Sequence, residues 1–358
     1  MVGGGDIMHK TPPQDHESKC YAGNIIVDTR IGGIERYYLG ERKDINMLIP
    51  DDFTKCVAFL GVPTREHGQE SISWRATTFA ISVPSEVAPP ERRYNYLVTA
   101  KHVVEKSEGN KPCIRVNTKR DNTSEIVPIE STPWWYHPAS EPRDLYYVDV
   151  AVIPWMPPEK FELVTIPVEM FLTDEIIQKK GIGLGNEVFI TGLFNKVAGQ
   201  IRNIPIVRTG NIAMIPNEPV YTKCGDMEAY LIESRSIGGL SGSPVFVIQD
   251  GYDKELLEKW QFGRPLYLLG LVHGHWPTSP YNTEDSSLKD DESTEPINMG
   301  IAIVVPAKKI LEVINQPELV EMRKEGDKAY KKLFAPTLDK QNHKSKLNLK
   351  FWKSKDQI

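Results

Sequence analysis

Cysteine is scarce in this chain. Four cysteines stand among 358 residues, at Cys20, Cys56, Cys113 and Cys224, and no two are close in sequence. That spacing excludes a CxxC metal clip. It predicts free, buried thiols in a reducing compartment, although spacing alone leaves bridges between distant cysteines open. Long apolar runs are lacking too. No stretch approaches the roughly 20 residues that span a bilayer, so no membrane partner is expected. The first twenty residues, MVGGGDIMHKTPPQDHESKC, lack the basic region and apolar core of a secretory leader, which points to the cytoplasm. An excess of positive charge is also missing. With 43 basic and 48 acidic residues the net charge is −5, which argues against a nucleic-acid partner. His9, His16, His67 and His343 lie in polar segments without metal-ligand spacing, and no metal or cofactor is expected.

The rest is the composition of a folded protein. Hydrophobic residues make up 40% and charged residues 25%, in a chain long enough to bury a core without staples. Residues 1–50 read as an N-terminal extension. Residues 51–160 carry short β-rich runs, KCVAFLGV, ISWRATTFAISV, YNYLVTAKHVV, CIRVN and YYVDVAVIPW, separated by Pro, Gly, Asn and Asp. Residues 161–306 hold a second set, after a helix-tolerant connector around LTDEIIQKKG: NEVFITGLF, IPIVRTGNIAMIP, AYLIES, PVFVI, LYLLGLVHG and MGIAIVV. Two clusters of short strands predict a mainly β protein with two lobes. After Pro306 the apolar period becomes helical. C-terminal helices are expected over 307–335, with Pro317 opening the second. Residues 336–358 form a Lys-rich tail, and 281–296, YNTEDSSLKDDESTEP, reads as a solvated acidic loop.

Three segments carry chemistry. His102 lies just past the end of the run YLVT, Asp149 lies inside the apolar run YYVDVAVIPW, and Ser241 lies in the Gly-rich turn SIGGLSGSPVFV. A carboxylate among apolar residues costs several kcal/mol unless it is paired. A serine hydroxyl is a poor nucleophile at neutral pH and needs a base to take its proton. An imidazole has the right pKa, and a buried carboxylate holds it in one tautomer. Gly238, Gly239 and Gly242 allow the backbone geometry that aims N–H groups at a developing oxyanion.

TAKHV, DVAV and GLSGSPVF, in that order, resemble the three signature blocks of the trypsin-like (chymotrypsin-fold) serine peptidases, over roughly residues 50–315. SGSPVF is closer to the bacterial HtrA-like and glutamyl-endopeptidase-like branches. The resemblance implies two six-stranded antiparallel β-barrels. It implies an endopeptidase with a polypeptide substrate and no cofactor, in which His102 is general base, Asp149 its orienter and Ser241 the nucleophile. The oxyanion hole would be the N–H groups of Gly239 and Ser241. Val272, His273 and Gly274 would pair with an extended substrate, and Gly300 would lie beside the specificity pocket. Arg235, six residues before the serine, stands at the expected pocket base, where it would favour an acidic side chain; pointing to solvent or pairing with Glu233 is the plainer alternative. Leu240 replaces an Asp that many animal relatives use for zymogen activation. Thr77 and Thr78 stand where the family often has Gly, a change expected to affect strand packing and not the triad. His137 is expected to be structural. Two other functions fit the same residues: a silent module that captures extended peptides, and an effector held inactive until an unidentified regulatory partner arrives.

Overall fold

The Val-, Ile-, Thr- and Phe-rich runs become strands almost throughout, so the protein is mainly β. The computed structural model describes residues 49–334 apart from 67–68, 88–91, 108, 110, 130–132, 142–145, 235–238, 250–264 and 279–296, together with the strand residues 21–22, 25–28 and 36–39. The whole Lys-rich tail and the whole acidic loop therefore lie outside the described residues. The chain divides into two units, Met1–Ile49 and Pro50–Ile358. In the first, β1 (Tyr21–Ala22), β2 (Ile25–Asp28) and β3 (Arg36–Leu39) form an antiparallel sheet in chain order.

The second unit holds two sheets that carry the site. Its first half supplies β4 (Val57–Glu66), β5 (Gln69–Pro84), β6 (Arg93–Thr99), β7 (Cys113–Asn117), β8 (Ser124–Pro128), β9 (Trp135–Tyr136) and β10 (Ala151–Pro154). They pair in the order β8-β7-β4-β5-β6-β10-β9, and β11 (Ile166–Pro167) lies parallel to β5. Its second half supplies β12 (Glu187–Gly192), β13 (Ile206–Met214), β16 (Tyr230–Glu233), β17 (Pro244–Ile248), β18 (Leu266–Thr278) and β19 (Ile297–Pro306). These close into a six-stranded barrel, β12-β13-β16-β19-β18-β17. Between them, β14 (Val220–Thr222) and β15 (Gly225–Met227) form a hairpin outside the expected runs.

The expected pair of closed barrels is thus met by one. Among the described residues, no strand pairing joins the ends of the first sheet. Its terminal strands bury little: β9 has two residues, and Glu125, Ile126 and Pro128 of β8 are exposed. A strand that buries so little apolar surface gains little from curling inward. The barrel is the opposite case. Ile190, Ile232, Val245, Val247, Leu269 and Val304 are fully buried in its centre, and Leu240 packs with them. Phe53, Phe189 and Phe246 form a further cluster, with centroids 4.6 Å apart for Phe53–Phe246 and 5.0 Å for Phe189–Phe246. Each such ring contributes about 1.5–3 kcal/mol by burial.

Four helices complete the described part that carries the site. Helix α1 (Lys101–Glu105) follows β6 directly and carries His102, just past the end of the run YLVT. Helix α2 (Asp174–Lys180) has Thr173 as N-cap and a left-handed Gly181 at its end, as its sequence suggests. Helix α3 (Ala307–Ile314) buries Ile310, Val313 and Ile314. Helix α4 spans 317–334. The buried Asp327 of α4 accepts hydrogen bonds from Ser85 Oγ (2.5 Å) and Tyr94 Oη (2.7 Å), which ties α4 to the first sheet. His137 is structural: its Nε2 meets Glu312 Oε2 of α3 at 2.6 Å, and its Nδ1 accepts the Ala139 N–H. Among the described residues no helix is long and apolar enough to cross a membrane.

Candidate active site

Strand register brings His102 and Asp149 together. β6 and β10 run antiparallel with Thr99 opposite Ala151. Continuing that register by two residues sets Asp149 beside Lys101, so the first turn of α1 meets it. Asp149 is not inside the strand, as the apolar run suggested; β10 starts two residues later, at Ala151. Leaving the ladder frees the Asp149 segment to approach α1. Among the described residues the carboxylate is fully buried and receives three N–H groups. The His102 backbone N–H donates to Oδ1 at 2.9 Å, and His102 Nδ1 lies 2.7 Å from Oδ2. His273 Nδ1 lies 2.5 Å from the same Oδ2. Burial pushes the Asp149 pKa up, but the hydrogen bonds from His102 and then His273 outweigh it and hold the carboxyl below the usual carboxylate range.

The serine comes from the barrel. Pro244 of β17 faces Leu271 of β18, and the pairing runs on through Gly242 N–H to Val272 O at 2.8 Å and Val272 N–H to Ser243 O at 2.9 Å. His273 therefore stands next to the serine turn. Ser241 Oγ donates to the His273 carbonyl oxygen at 3.2 Å. Among the described residues no hydrogen bond joins Ser241 Oγ to His102. Gly239 has φ +101° and Gly242 φ +79°, backbone that L side chains rarely adopt. A Cβ on Gly242 would also lie 2.3 Å from both Thr77 O and Thr99 Oγ1. Gly238 and Arg235 fall outside the described residues.

Thr77, expected from the sequence only to affect strand packing, bonds the serine turn. Its N–H donates to Ser241 O at 3.0 Å. Its hydroxyl donates to Gly239 O at 3.0 Å and accepts the Leu193 N–H at 2.8 Å. A side chain of β5 thus ties the serine turn to the segment that follows β12. Thr78, by contrast, bonds Val98 O on the neighbouring strand, which is the packing role expected of both. The signal available was two buried hydroxyls in an otherwise apolar run; which one faces the turn depends on strand register.

The expected substrate segment is only partly free. Val272 is fully buried, and the His273 imidazole is turned toward Asp149. Gly274 has open space around its Cα. Gly300, at φ +79°, accepts the Ser234 N–H at 2.7 Å. It borders an open cavity of about 910 Å³ whose lining includes Arg208, Glu187 and Glu233.

His102 Nδ1, Asp149 Oδ2 and His273 Nδ1 are the donor set that could hold a metal, since all lie within 4.8 Å of one another. Their spacing fits protons better. Two ligands on one zinc ion, each about 2.0–2.2 Å from it, stand roughly 3.3 Å apart, whereas the N···O separations are 2.5 and 2.7 Å, those of charge-assisted hydrogen bonds. Cys56 and Cys113 are buried free thiols and Cys224 is half-buried; Cys20 lies outside the described residues. Burial pushes the Cys56 thiol well up, away from nucleophilic use.

Fold and site together define a barrel-containing β protein with a buried, doubly bonded His–Asp pair beside a glycine-framed serine. No protein-family model matches the chain, and no curated protein does. Among solved structures, the apo form of the MamO protease domain from Magnetospirillum magneticum is similar, with 13% identity and a TM-score of 0.43 over 74% of this chain and 99% of that one. That likeness is too loose to carry an argument about this chain.

Proposed function

We propose that this protein is a serine endopeptidase of the trypsin-like type, with two lobes over 51–160 and 161–306. The observation that carries the reading is the His102 imidazole held by a fully buried Asp149, with Ser241 on the neighbouring turn. In this reading His102 Nδ1–H stays on Asp149 and Nε2 takes the Ser241 proton as Oγ attacks a peptide carbonyl. The N–H groups of Gly239 and Ser241 receive the oxyanion. Protonated His102 then passes its proton to the leaving amine, and water hydrolyses the acyl-enzyme by the reverse route. In this reading the Val272–Gly274 segment pairs with an extended peptide, and Arg235 with Gly300 borders the specificity pocket. A cytoplasmic location goes with the proposal.

One observation favours a second reading. The Ser241 hydroxyl is bonded to the His273 carbonyl rather than to His102, as in a silent or partner-activated peptide-binding protein. Catalytic hydrogen bonds are often loose before substrate binds, so this contact alone does not separate the two. A fluorophosphonate probe decides between them. A covalent adduct at Ser241, absent in Ser241→Ala, supports the peptidase. No adduct, with retained binding of extended peptides, supports the silent module.

A further inference from the structure

We infer that His273 is a positioning residue for Asp149, and that it turns the proton relay into a unit of two imidazoles on one carboxylate oxygen. The inference deepens the peptidase reading and rests on it. Its geometry is direct. His102 and His273 both place Nδ1 on Asp149 Oδ2, at 2.7 and 2.5 Å, with ring centroids 5.2 Å apart and planes at 72°. The same residue holds the nucleophile through its backbone, since the His273 carbonyl accepts Ser241 Oγ. One strand position of β18 therefore grips both ends of the relay. With Nδ1 committed to Asp149, the ring faces the relay, and pairing with an extended substrate would fall to the backbone of this segment.

A neutral donor on Oδ2 fixes the rotation of the carboxylate and so the aim of His102. An imidazole, unlike a hydroxyl or an amide, can also take up a proton on its second ring nitrogen. When the Ser241 proton moves to His102 Nε2, His102 becomes a cation and the one negative charge of Asp149 compensates it. A proton already on His273 claims that charge first, and the new cation would form one ring away. Both imidazoles must therefore be neutral before the step, and activity falls with two protons rather than one as pH drops.

Among the described residues no other ionisable side chain bonds the Asp149 carboxylate. Burial raises the Tyr147 phenol and the Cys224 thiol, so both stay protonated through the neutral range. Lys101 and Lys106 are cations of the α1 segment, Glu105 and Glu141 act on Tyr147 from farther off, and His275 lies two residues along β18.

The test uses the full chain, His273→Asn and His273→Ala. The Asn amide nitrogen occupies the place of Nδ1, donates to Asp149 and does not titrate. Fluorophosphonate labelling rates are measured from pH 5 to 9, and the His102 ring nitrogens are followed by NMR over the same range. The expected acid limb of the labelling rate has a slope approaching 2 in the wild type and 1 in His273→Asn. His273→Ala slows labelling about 10- to 100-fold at pH 8, and Asn recovers rate that Ala does not. A wild-type slope of 1, unchanged in His273→Asn, with identical His102 titrations in both, overturns the inference. No labelling at any pH, with His102 titrations that still differ between the two proteins, overturns the peptidase reading and leaves the coupling standing.

Discussion

The two halves of the candidate site are held by different means. On what we propose as the base side, a side chain is held: Asp149 is fully buried and receives two ring N–H groups and one backbone N–H from two histidines. On the nucleophile side, it is the backbone of the Ser241 turn that is held: Gly242 N–H donates to Val272 O, and the Ser241 and Gly239 carbonyls accept from the Thr77 N–H and hydroxyl. The difference teaches where each half is vulnerable. The base side is fixed by charge and is broken by changing a carboxylate. The nucleophile side is fixed by register and glycine geometry, and is broken by moving a loop.

The sharpest break is Ser241→Ala. Hydrolysis of an unstructured protein substrate should fall by about 10⁴- to 10⁶-fold, with the fold and the His102–Asp149 bond intact. Retained turnover would mean that the base side serves a different nucleophile and that the comparison is drawn around the wrong residue. Asp149→Asn comes next, at roughly 10⁴-fold in kcat. Where the amide presents its NH₂ to the two Nδ1 atoms, the imidazoles must accept there instead of donating, which puts the His102 proton on Nε2 and leaves no base for the serine. Single-turnover acylation measured against substrate binding checks it; a change confined to KM would show that the carboxylate serves binding and not orientation.

These contrasts also explain what was legible in the sequence. His102, Asp149 and Ser241 stood out because each is chemically out of place: an imidazole at a strand end, a carboxylate between valines, a serine among glycines. The barrel was legible because PVFVI, LYLLGL and IAIVV have no stable place outside a core. His273 was visible as a residue but not as an Asp149 partner, since that contact joins residues 124 apart in sequence. Thr77 was misjudged for the same reason. Its hydroxyl meets Gly239, 162 residues away, and only the register of β5 decides that Thr77 rather than Thr78 faces the turn. The open first sheet was hidden because β8 and β9 carry strand-like residues whose burial depends on what lies across from them.

Thr77 sharpens the nucleophile side. Thr77→Val keeps the shape and the backbone bond to Ser241 but leaves the Leu193 N–H and the Gly239 carbonyl without their hydroxyl partner. An unpaired buried group costs about 1–3 kcal/mol. If that strain moves the turn, kcat drops about 10- to 100-fold with KM little changed. Thr77→Ser should restore most of the loss. Equal kcat in Val and Ser variants, with only melting temperature altered, would reduce Thr77 to a packing residue.

The smallest expected effect is on acid stability, and it isolates the base side. The folded pKa of Asp149 is depressed, because the bonds from His102 and His273 outweigh burial. A depressed carboxyl contributes stability that is fully present above its unfolded value of about 3.9 and is lost as pH falls through the lower, folded value. Asp149→Asn has no such proton to gain. The melting temperature of the wild type should therefore exceed that of Asp149→Asn at pH 6, and the gap should narrow by a few °C, on the order of 2–4 °C per kcal/mol, as pH drops below about 4. Ser241→Ala, which leaves every Asp149 bond in place, should keep the wild-type acid slope. A gap between wild type and Asp149→Asn that is constant with pH would mean that the carboxylate contributes shape alone, and the charge-fixed character of the base side would fail with it.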